Sequence, residues 1–369
     1  MDGDFMVKLL AISDRYIPQD DMLRGLAPLA ERGIDVEVRR WEHDTVEALQ
    51  EANLRVEQGG PDAEPLPADI VDSLDAYDIV VTQFAPISST FLESAENLRI
   101  IGVLRGGVEN IDIEVAMQRG ISVFNTPGRN ARAVAECAVG LILTEIRNLA
   151  RGHAALKQGE WTRDFPNRSC IPELFGRTVG LVGYGAIGKL VAKFLTAFGV
   201  KIVVSDPFMR PEDVTEKLPG QVAVTPVDLQ TLLRESDIVS LHARYSPQTH
   251  HLVGRAELEM MKSTAVLINT ARSGLVDEIA LIESLSTRRI MGAALDVFDT
   301  EPMPPDSPFF LLDNVTLVPH LAGSTADAFR NSPGIFAAHL IRWFDGAKDD
   351  ELPIINGVSS PEFLRTKKS

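Results

Sequence analysis

Thr178-Val179-Gly180-Leu181-Val182 runs into Gly183-Tyr184-Gly185-Ala186-Ile187-Gly188, and Asp206 follows eighteen residues after the last glycine. The first five residues are apolar and β-prone, so they read as a buried strand. The apolar positions Ile187, Leu190, Val191, Phe194, Leu195 and Phe198 recur at helical spacing. Lys201 to Ser205 then reads as a second buried strand that delivers Asp206. A glycine pattern alone says little, but here it lies between a strand and a helix, as a dinucleotide-binding turn requires. Gly183 permits the tight turn, Gly185 lets backbone approach a pyrophosphate, and Gly188 lets helix and sheet pack closely. The helix start, with Ala186 and Ile187, offers unpaired N–H groups and a positive dipole end to phosphates. Asp206 would accept hydrogen bonds from both ribose hydroxyls and repel a 2′-phosphate, so the cofactor expected is NAD.

Outward from this turn, short β-rich runs alternate with helical segments, the pattern of an α/β protein with parallel sheets. Lys8–Ile12, Val36–Arg39, Ile79–Val81, Ile100–Val103 and Ser122–Phe124 predict five strands of a first unit. Residues 42–67 read as a helix plus a surface loop inserted in it. One long helix is expected from Ala131 to Gln158, packed on both sides as an interdomain helix would be. The second unit continues with strands at Ile238–Leu241, Ala265–Ile268, Gly292–Leu295 and Val315–Val318. A last helix from Ala326 to Phe344 is expected to return the chain to the first unit. The tail after Gly357 is polar and reads as loose.

At 369 residues two domains are the better prior. Apolar content of 45% with 24% charged residues is ordinary for a globular chain. A net charge of −16 argues against nucleic-acid or acidic-membrane partners, which need basic patches. Cys137 and Cys170 show no zinc spacing and suit a reducing compartment, so a cytoplasmic protein without a metal is expected. The acidic Met1-Asp2-Gly3-Asp4 lacks the basic region of a signal peptide.

The strands of the second unit end beside polar residues: His242, Asn269, Asp296 and, after Pro319, His320. Ligands of open parallel sheets bind outside these carboxyl ends. Arg272, past Asn269, has the planar fork that holds a carboxylate with two hydrogen bonds. His320 titrates near neutrality and suits an acid/base. Glu301 lies between the Asp296 and His320 strands and could stabilise the imidazolium. His242 reads as a strand-end cofactor contact, with a catalytic role as the alternative, and His250 and His251 read as solvated turn residues.

Ordered blocks extend this pattern. They are Leu98 to Asp112 with Gly106-Gly107-Val108-Glu109-Asn110-Ile111-Asp112, Asn125-Thr126-Pro127-Gly128, Val134-Ala135-Glu136, the dinucleotide turn, Asn269 to Gly274, Ala294 to Val297, Glu301-Pro302, and Asp313 to His320. Over nearly its whole length the sequence resembles the D-isomer-specific 2-hydroxyacid dehydrogenase family. The resemblance implies two doubly wound parallel-sheet domains, a Rossmann NAD-binding domain (129–324) inserted in a flavodoxin-like substrate domain (1–128 and 325–369). It also implies a homodimer that takes a small 2-hydroxy or 2-keto acid. The catalytic residues it implies are Arg272, Glu301 and His320. Cofactor contacts fall on Gly183, Gly185, Ala186, Ile187, Gly188, Asp206, His242, Ala243, Arg244, Thr270, Ala271, Arg272, Asp296, His320, Ala322 and Gly323. Substrate contacts fall on Arg105, Gly106, Gly107, Arg272 and His320.

The sequence departs from the family in places. His242-Ala243-Arg244-Tyr245-Ser246-Pro247 replaces the usual His-x-Pro-Leu-Thr-Pro. Val318 stands where threonine is common. Val103 stands where phosphoglycerate dehydrogenases carry arginine, and many of those add a regulatory domain after the core. A small unphosphorylated acid such as glyoxylate or hydroxypyruvate is therefore expected, with 3-phosphoglycerate as the alternative. Similar formate dehydrogenases pair their histidine with glutamine, so Glu301 argues against that activity. A reading from another class is an NAD(H)-sensing, co-repressor-like binding protein.

Overall fold

A computed structural model describes residues 7–209, 218 and 223–358. Arg210 and the tail beyond 358 lie outside the described residues. Within them the chain divides into two compact units, 7–129 with 326–358, and 130–325.

The first unit is one parallel sheet of five strands: β1 (Lys8–Ser13), β2 (Asp35–Arg40), β3 (Ile79–Thr82), β4 (Ile100–Val103) and β5 (Ser122–Asn125). Their spatial order is β2-β1-β3-β4-β5, the flavodoxin-like winding whose direction reverses between β1 and β3. Leu9 to Ile12 are buried without alternation, because helices cover both faces of a parallel sheet. β2 lies at an edge, and its charged Glu37, Arg39 and Arg40 remain at least partly accessible. The insertion is a helix, Val46–Gly59, capped by Thr45 Oγ1 accepting from Ala48 N at 3.1 Å. Its Leu49, Ala52 and Val56 are buried, one stripe of a 3.6-residue period.

The expected return helix is present in two pieces, Ala326–Arg330 and Ser332–Phe344. The break falls just before Pro333, which sits in the first turn, where its missing N–H costs nothing. Phe336, Leu340 and Trp343 join Leu9, Leu26, Leu29 and Phe124 in the core of this unit. A Cβ at Gly25 would come within 2.7 Å of Pro333 Cβ, so glycine is what lets helix Gln19–Ala30 approach this closely.

The second unit is a parallel sheet of seven described strands: β6 (Thr178–Val182), β7 (Lys201–Ser205), β8 (Val224–Pro226), β9 (Ile238–Leu241), β10 (Val266–Asn269), β11 (Gly292–Leu295) and β12 (Val315–Leu317). The order β12-β11-β10-β9-β6-β7-β8 is the Rossmann winding, reversing between β6 and β9. β10 and β12 differ by a residue from the expected spans, within the usual fraying of strand ends.

The single helix expected over Ala131 to Gln158 is instead two helices, Ala131–Ile146 and Leu149–Lys157. Asn148 turns the chain with φ +56°, a conformation asparagine tolerates better than most residues. The turn serves a buried ion pair. Arg151 Nη2 donates to both carboxylate oxygens of Glu145, at 2.7 and 2.9 Å, and Arg151 Nη1 donates to Asn148 Oδ1 at 3.1 Å. Thr316 Oγ1 on β12 donates to the same carboxylate at 2.6 Å. Helix Ala131–Ile146 is thereby fastened to the short edge strand that leads to His320.

Candidate active site

The dinucleotide turn sits where the strand order of the second unit reverses. Gly183 has φ +97°, and a Cβ there would meet Ala243 N at 2.6 Å and the His242 carbonyl carbon at 2.7 Å. The loop after β9 therefore packs directly against the turn after β6. A Cβ at Gly188 would collide with the Gly183 carbonyl, whereas one at Gly185 would meet nothing within 4 Å. Two glycines are required by protein packing, and the third keeps a space open above the helix start at Ala186. That cradle fits a pyrophosphate, with the N–H groups of Ala186 and Ile187 at the helix end. Asp206 is anchored by two backbone bonds, Tyr184 N to Oδ2 at 2.7 Å and Phe208 N to Oδ1 at 2.8 Å. Its charge is held at the end of β7 beside the glycine turn.

His242 is held at the end of β9. Its ring pairs through Nε2 with Ser240 Oγ at 2.9 Å, and burial pushes its pKa down to about 4. It is neutral at physiological pH, in keeping with a contact beside the cofactor turn. Arg244 and Tyr245 are exposed, and a Cβ at Gly274 would lie 2.6 Å from the Tyr245 ring. His250 and His251 are stacked at 3.8 Å, with His250 edge-on to Tyr245.

The loop after β10 is built by Asn269. Its Oδ1 accepts from Ala271 N at 3.0 Å and its Nδ2 donates to the Arg272 carbonyl at 3.0 Å. This Asx-type turn fixes Thr270 and Ala271 at the strand end and puts the Arg272 side chain at the surface. One guanidinium nitrogen, Nη1, donates to the Ala271 carbonyl at 2.7 Å. The remaining fork has no protein carboxylate on it among the described ion pairs.

His320 and Glu301 form the central pair. His320 Nδ1 lies 2.7 Å from Glu301 Oε2, and Glu301 Oε1 accepts from Phe298 N at 2.9 Å. The carboxylate thus orients the ring through Nδ1. His320 holds φ +48°, a left-handed conformation that costs a non-glycine residue on the order of 1 kcal/mol. Asp296 holds the loop in place. Its carboxylate, 1% exposed, accepts Leu321 N at 2.7 Å and Ala322 N at 3.0 Å. Burial raises the Asp296 pKa; the two N–H bonds and the neighbouring His320 oppose that rise. A Cβ at Gly323 would run into the Asn130 side chain, so this loop also packs on the start of helix Ala131–Ile146. Beside the pair opens a pocket of about 520 Å³ with a largely apolar lining that includes Phe298, Met303, Phe310, Val318 and Pro319.

Sequence reasoning missed two supports. Glu278 Oε2 accepts Asp299 N at 2.9 Å and steadies the Glu301 loop. The Glu145–Arg151–Thr316 tie was the other. Its only signal was a carboxylate, Glu145, between the apolar Leu141, Ile142 and Ile146 near the end of helix Ala131–Ile146. Burial, and then Asp296, pushes the Cys137 thiol up to about 11, which makes it a poor nucleophile at neutral pH. Among the described residues no cluster of three or more His, Cys, Asp or Glu could hold a metal, and no helix is long and apolar enough to cross a membrane.

Substituting Glu301 by glutamine is expected to lower kcat about tenfold. KM for NADH should stay within about threefold, because the ring loses its charged anchor while the glycine cradle is untouched. A KM effect without a kcat effect would remove Glu301 from the role of positioning His320.

Residues 139–322 match the family model of the D-isomer specific 2-hydroxyacid dehydrogenase NAD-binding domain. The chain is 40% identical over 266 residues to a D-3-phosphoglycerate dehydrogenase of Methanocaldococcus jannaschii, covering 72% of this chain and 49% of that protein. It is 42% identical over 261 residues to a glyoxylate reductase of Thermofilum pendens, covering 70% and 76%. Among solved structures, the D-lactate dehydrogenase of Lactobacillus jensenii with NAD+ is similar at 25% identity and a TM-score of 0.70, covering 95% of this chain and 99% of that one. The chain spans about half the length of the first phosphoglycerate dehydrogenases it matches, at 49% and 51%. With its Rossmann unit, glycine cradle and His–Glu pair, the chain belongs to the D-isomer specific 2-hydroxyacid dehydrogenase family.

Proposed function

We propose that this protein interconverts a D-2-hydroxy acid and its 2-keto acid. The single observation that carries the reading is the His320–Glu301 pair at 2.7 Å, in the same unit as a glycine cradle fit for a dinucleotide. NAD(H), when bound, supplies hydride chemistry. The chain's own residues do the rest. His320, held by Glu301, gives a proton to the keto oxygen on reduction and takes it back on oxidation. Arg272 pairs its free fork with the C1 carboxylate. Arg105, Gly106 and Gly107 of the first unit remain proposed as substrate contacts. The dinucleotide contacts proposed are Gly183, Gly185, Ala186, Ile187, Gly188, Asp206, His242, Ala243, Arg244, Thr270, Ala271, Asp296, Ala322 and Gly323.

Val103 is apolar and fully buried at the end of β4, which supports a small unphosphorylated acid such as glyoxylate or hydroxypyruvate. Two arginines of the first unit, described below, favour an acid with a second charge, 3-phosphoglycerate among them, as the other reading. A panel of 2-keto acids, scored by NADH oxidation, tests the activity. No turnover with any of them would sink the dehydrogenase reading and leave an NAD(H)-sensing binding protein. A homodimer is supported by the exposed Leu149, Leu156, Trp161 and Phe175 of the second unit, 57% to 82% accessible. Sedimentation at the monomer mass would exclude it.

A further inference from the structure

The first unit carries chemistry at the carboxyl edge of its sheet that reaches beyond Arg105, already proposed as a substrate contact. Asp14 follows β1, Gln83 and Phe84 follow β3, Arg105 follows β4 and Arg129 follows β5. β4 and β5 are neighbours in register, Val103 opposite Asn125. Their loops are joined by Asn125 Nδ2 donating to the Gly106 carbonyl at 2.7 Å and Thr126 N donating to the Arg105 carbonyl at 3.1 Å. Two guanidinium groups are therefore carried on adjacent, cross-linked loops.

Each lies over an aromatic ring. Arg105 Cζ is 4.0 Å from the Phe84 centroid, and Arg129 Cζ is 4.5 Å from that of Phe329. Phe329 is itself stacked on Tyr16 at 4.5 Å. A ring contact engages the face of a guanidinium group and leaves its edge N–H donors to other partners, which for Arg105 Nη2 are Glu109 and Glu57. Arg105 Nη1, Arg129 Nη1 and Gln83 Oε1 are all buried and without a hydrogen-bond partner. Burial, and then the like charge of Arg105, pushes the Arg129 pKa down to about 10. The charges acting against a ligand here are Glu109 and Glu57, 3.3 and 3.8 Å from Arg105 Nη2. Asp14 also faces Arg129, although both its backbone bonds, from Tyr16 N and Ile17 N at 2.8 Å, fall on one oxygen. On each of these two partly buried, like-charged guanidinium groups one buried Nη1 meets no partner, which costs stability that an added negative group would relieve.

We propose that Arg105 and Arg129 form an oxyanion-binding site in the first unit, taking a phosphate, sulfate or carboxylate group by guanidinium forks. The group comes either as a substituent of the acid substrate or as a free ion, and the two arms of the test separate these sources.

In the first arm, melting temperature is measured in sodium sulfate and in inorganic phosphate, against sodium chloride at equal ionic strength. Both oxyanions are expected to raise it by several degrees beyond chloride, as ligands of the native state do. The added rise should fall by more than half in Arg129→Gln and in Arg105→Gln, persist in the surface control Arg24→Gln, and grow in Glu109→Gln. Sulfate stabilises proteins generally, so an equal rise in all these variants and in the wild type would overturn the site. Should Arg129→Gln melt without a cooperative transition, Arg129→Lys, which keeps charge and loses the fork, is read in its place. A wild-type rise retained in full by Arg129→Lys, with Arg105→Gln also unchanged, would overturn the proposal equally.

The second arm compares hydroxypyruvate with its 3-phosphate and rests on the dehydrogenase reading. A preference for the ester that falls at least tenfold in Arg129→Gln assigns the anion to the substrate. No preference, with the melting response intact, assigns it to a free ion. Absence of turnover with either acid would count against the dehydrogenase reading, while the melting arm still decides the site.

Discussion

Replacement of His320 by alanine is expected to lower kcat at least about a hundredfold, the usual worth of a positioned general acid. NADH affinity should stay within about threefold. The two effects separate because the residues involved are separate. Gly183, Gly185 and Asp206 build the dinucleotide turn from β6 and β7, while His320 is fixed by Glu301 and by the loop that Asp296 holds. Removing the ring deletes the group proposed to move the hydroxyl proton and leaves that turn intact. Steady-state kinetics and a fluorescence titration with NADH measure the two quantities. Near-normal turnover in the variant would mean that another group carries the proton. His242 is a poor substitute, since burial keeps it uncharged down to about pH 4.

Much of this was legible because parallel sheets write plainly. The strand before Gly183 and the one before Asp206 are apolar runs bounded by glycine and polar residues, and all five strands expected in the first unit are present. The glycine roles were legible too, since each answers to a different collision: Gly183 with the loop after β9, Gly188 with the Gly183 carbonyl, Gly185 with nothing. Long helices were less so. An apolar period runs on through Arg147 and Asn148, and nothing local announces that Asn148 will turn left-handed. The turn is stabilised by Arg151 reaching back to Glu145 and by Asn148 Nδ2 donating to Asn167 Oδ1 at 2.6 Å. Those are tertiary partners, invisible to periodicity. β8 escaped for the opposite reason: three residues at a sheet edge are too short to show alternation.

The candidate site divides in the same way. Its residue types were visible at strand ends, but the left-handed backbone of His320 was not. Nor was the paired acceptance by Asp296 of two N–H groups just after it. Arg129 was overlooked because it lies four residues past the end of β5, in a segment that reads only as Pro-Gly turn and helix start. Its significance comes from Arg105 and Phe329, neither of which is near it in sequence.

Cofactor choice should be decided by Asp206, with kcat/KM for NADH expected to exceed that for NADPH by at least about a hundredfold. Tyr184 N and Phe208 N each hold one oxygen of this carboxylate, so the charge cannot swing aside to admit a phosphate. A hundredfold is about 2.7 kcal/mol. Two unit charges 4 Å apart near a protein surface repel by about 4 kcal/mol, so the expected preference needs only part of that repulsion. Asp206→Asn is the sharper variant, because the charge is gone while its one amide oxygen still accepts one of the two backbone N–H groups. It should narrow the preference at least about tenfold, mainly by improving NADPH. Truncation to alanine would also untie Tyr184 N and blur the comparison by loosening the turn. Equal kcat/KM for the two cofactors in the wild type would mean that Asp206 does not face the ribose, or that the exposed Arg244 offsets its charge. An Arg244→Ala variant that then recovered the NADH preference would identify the second case.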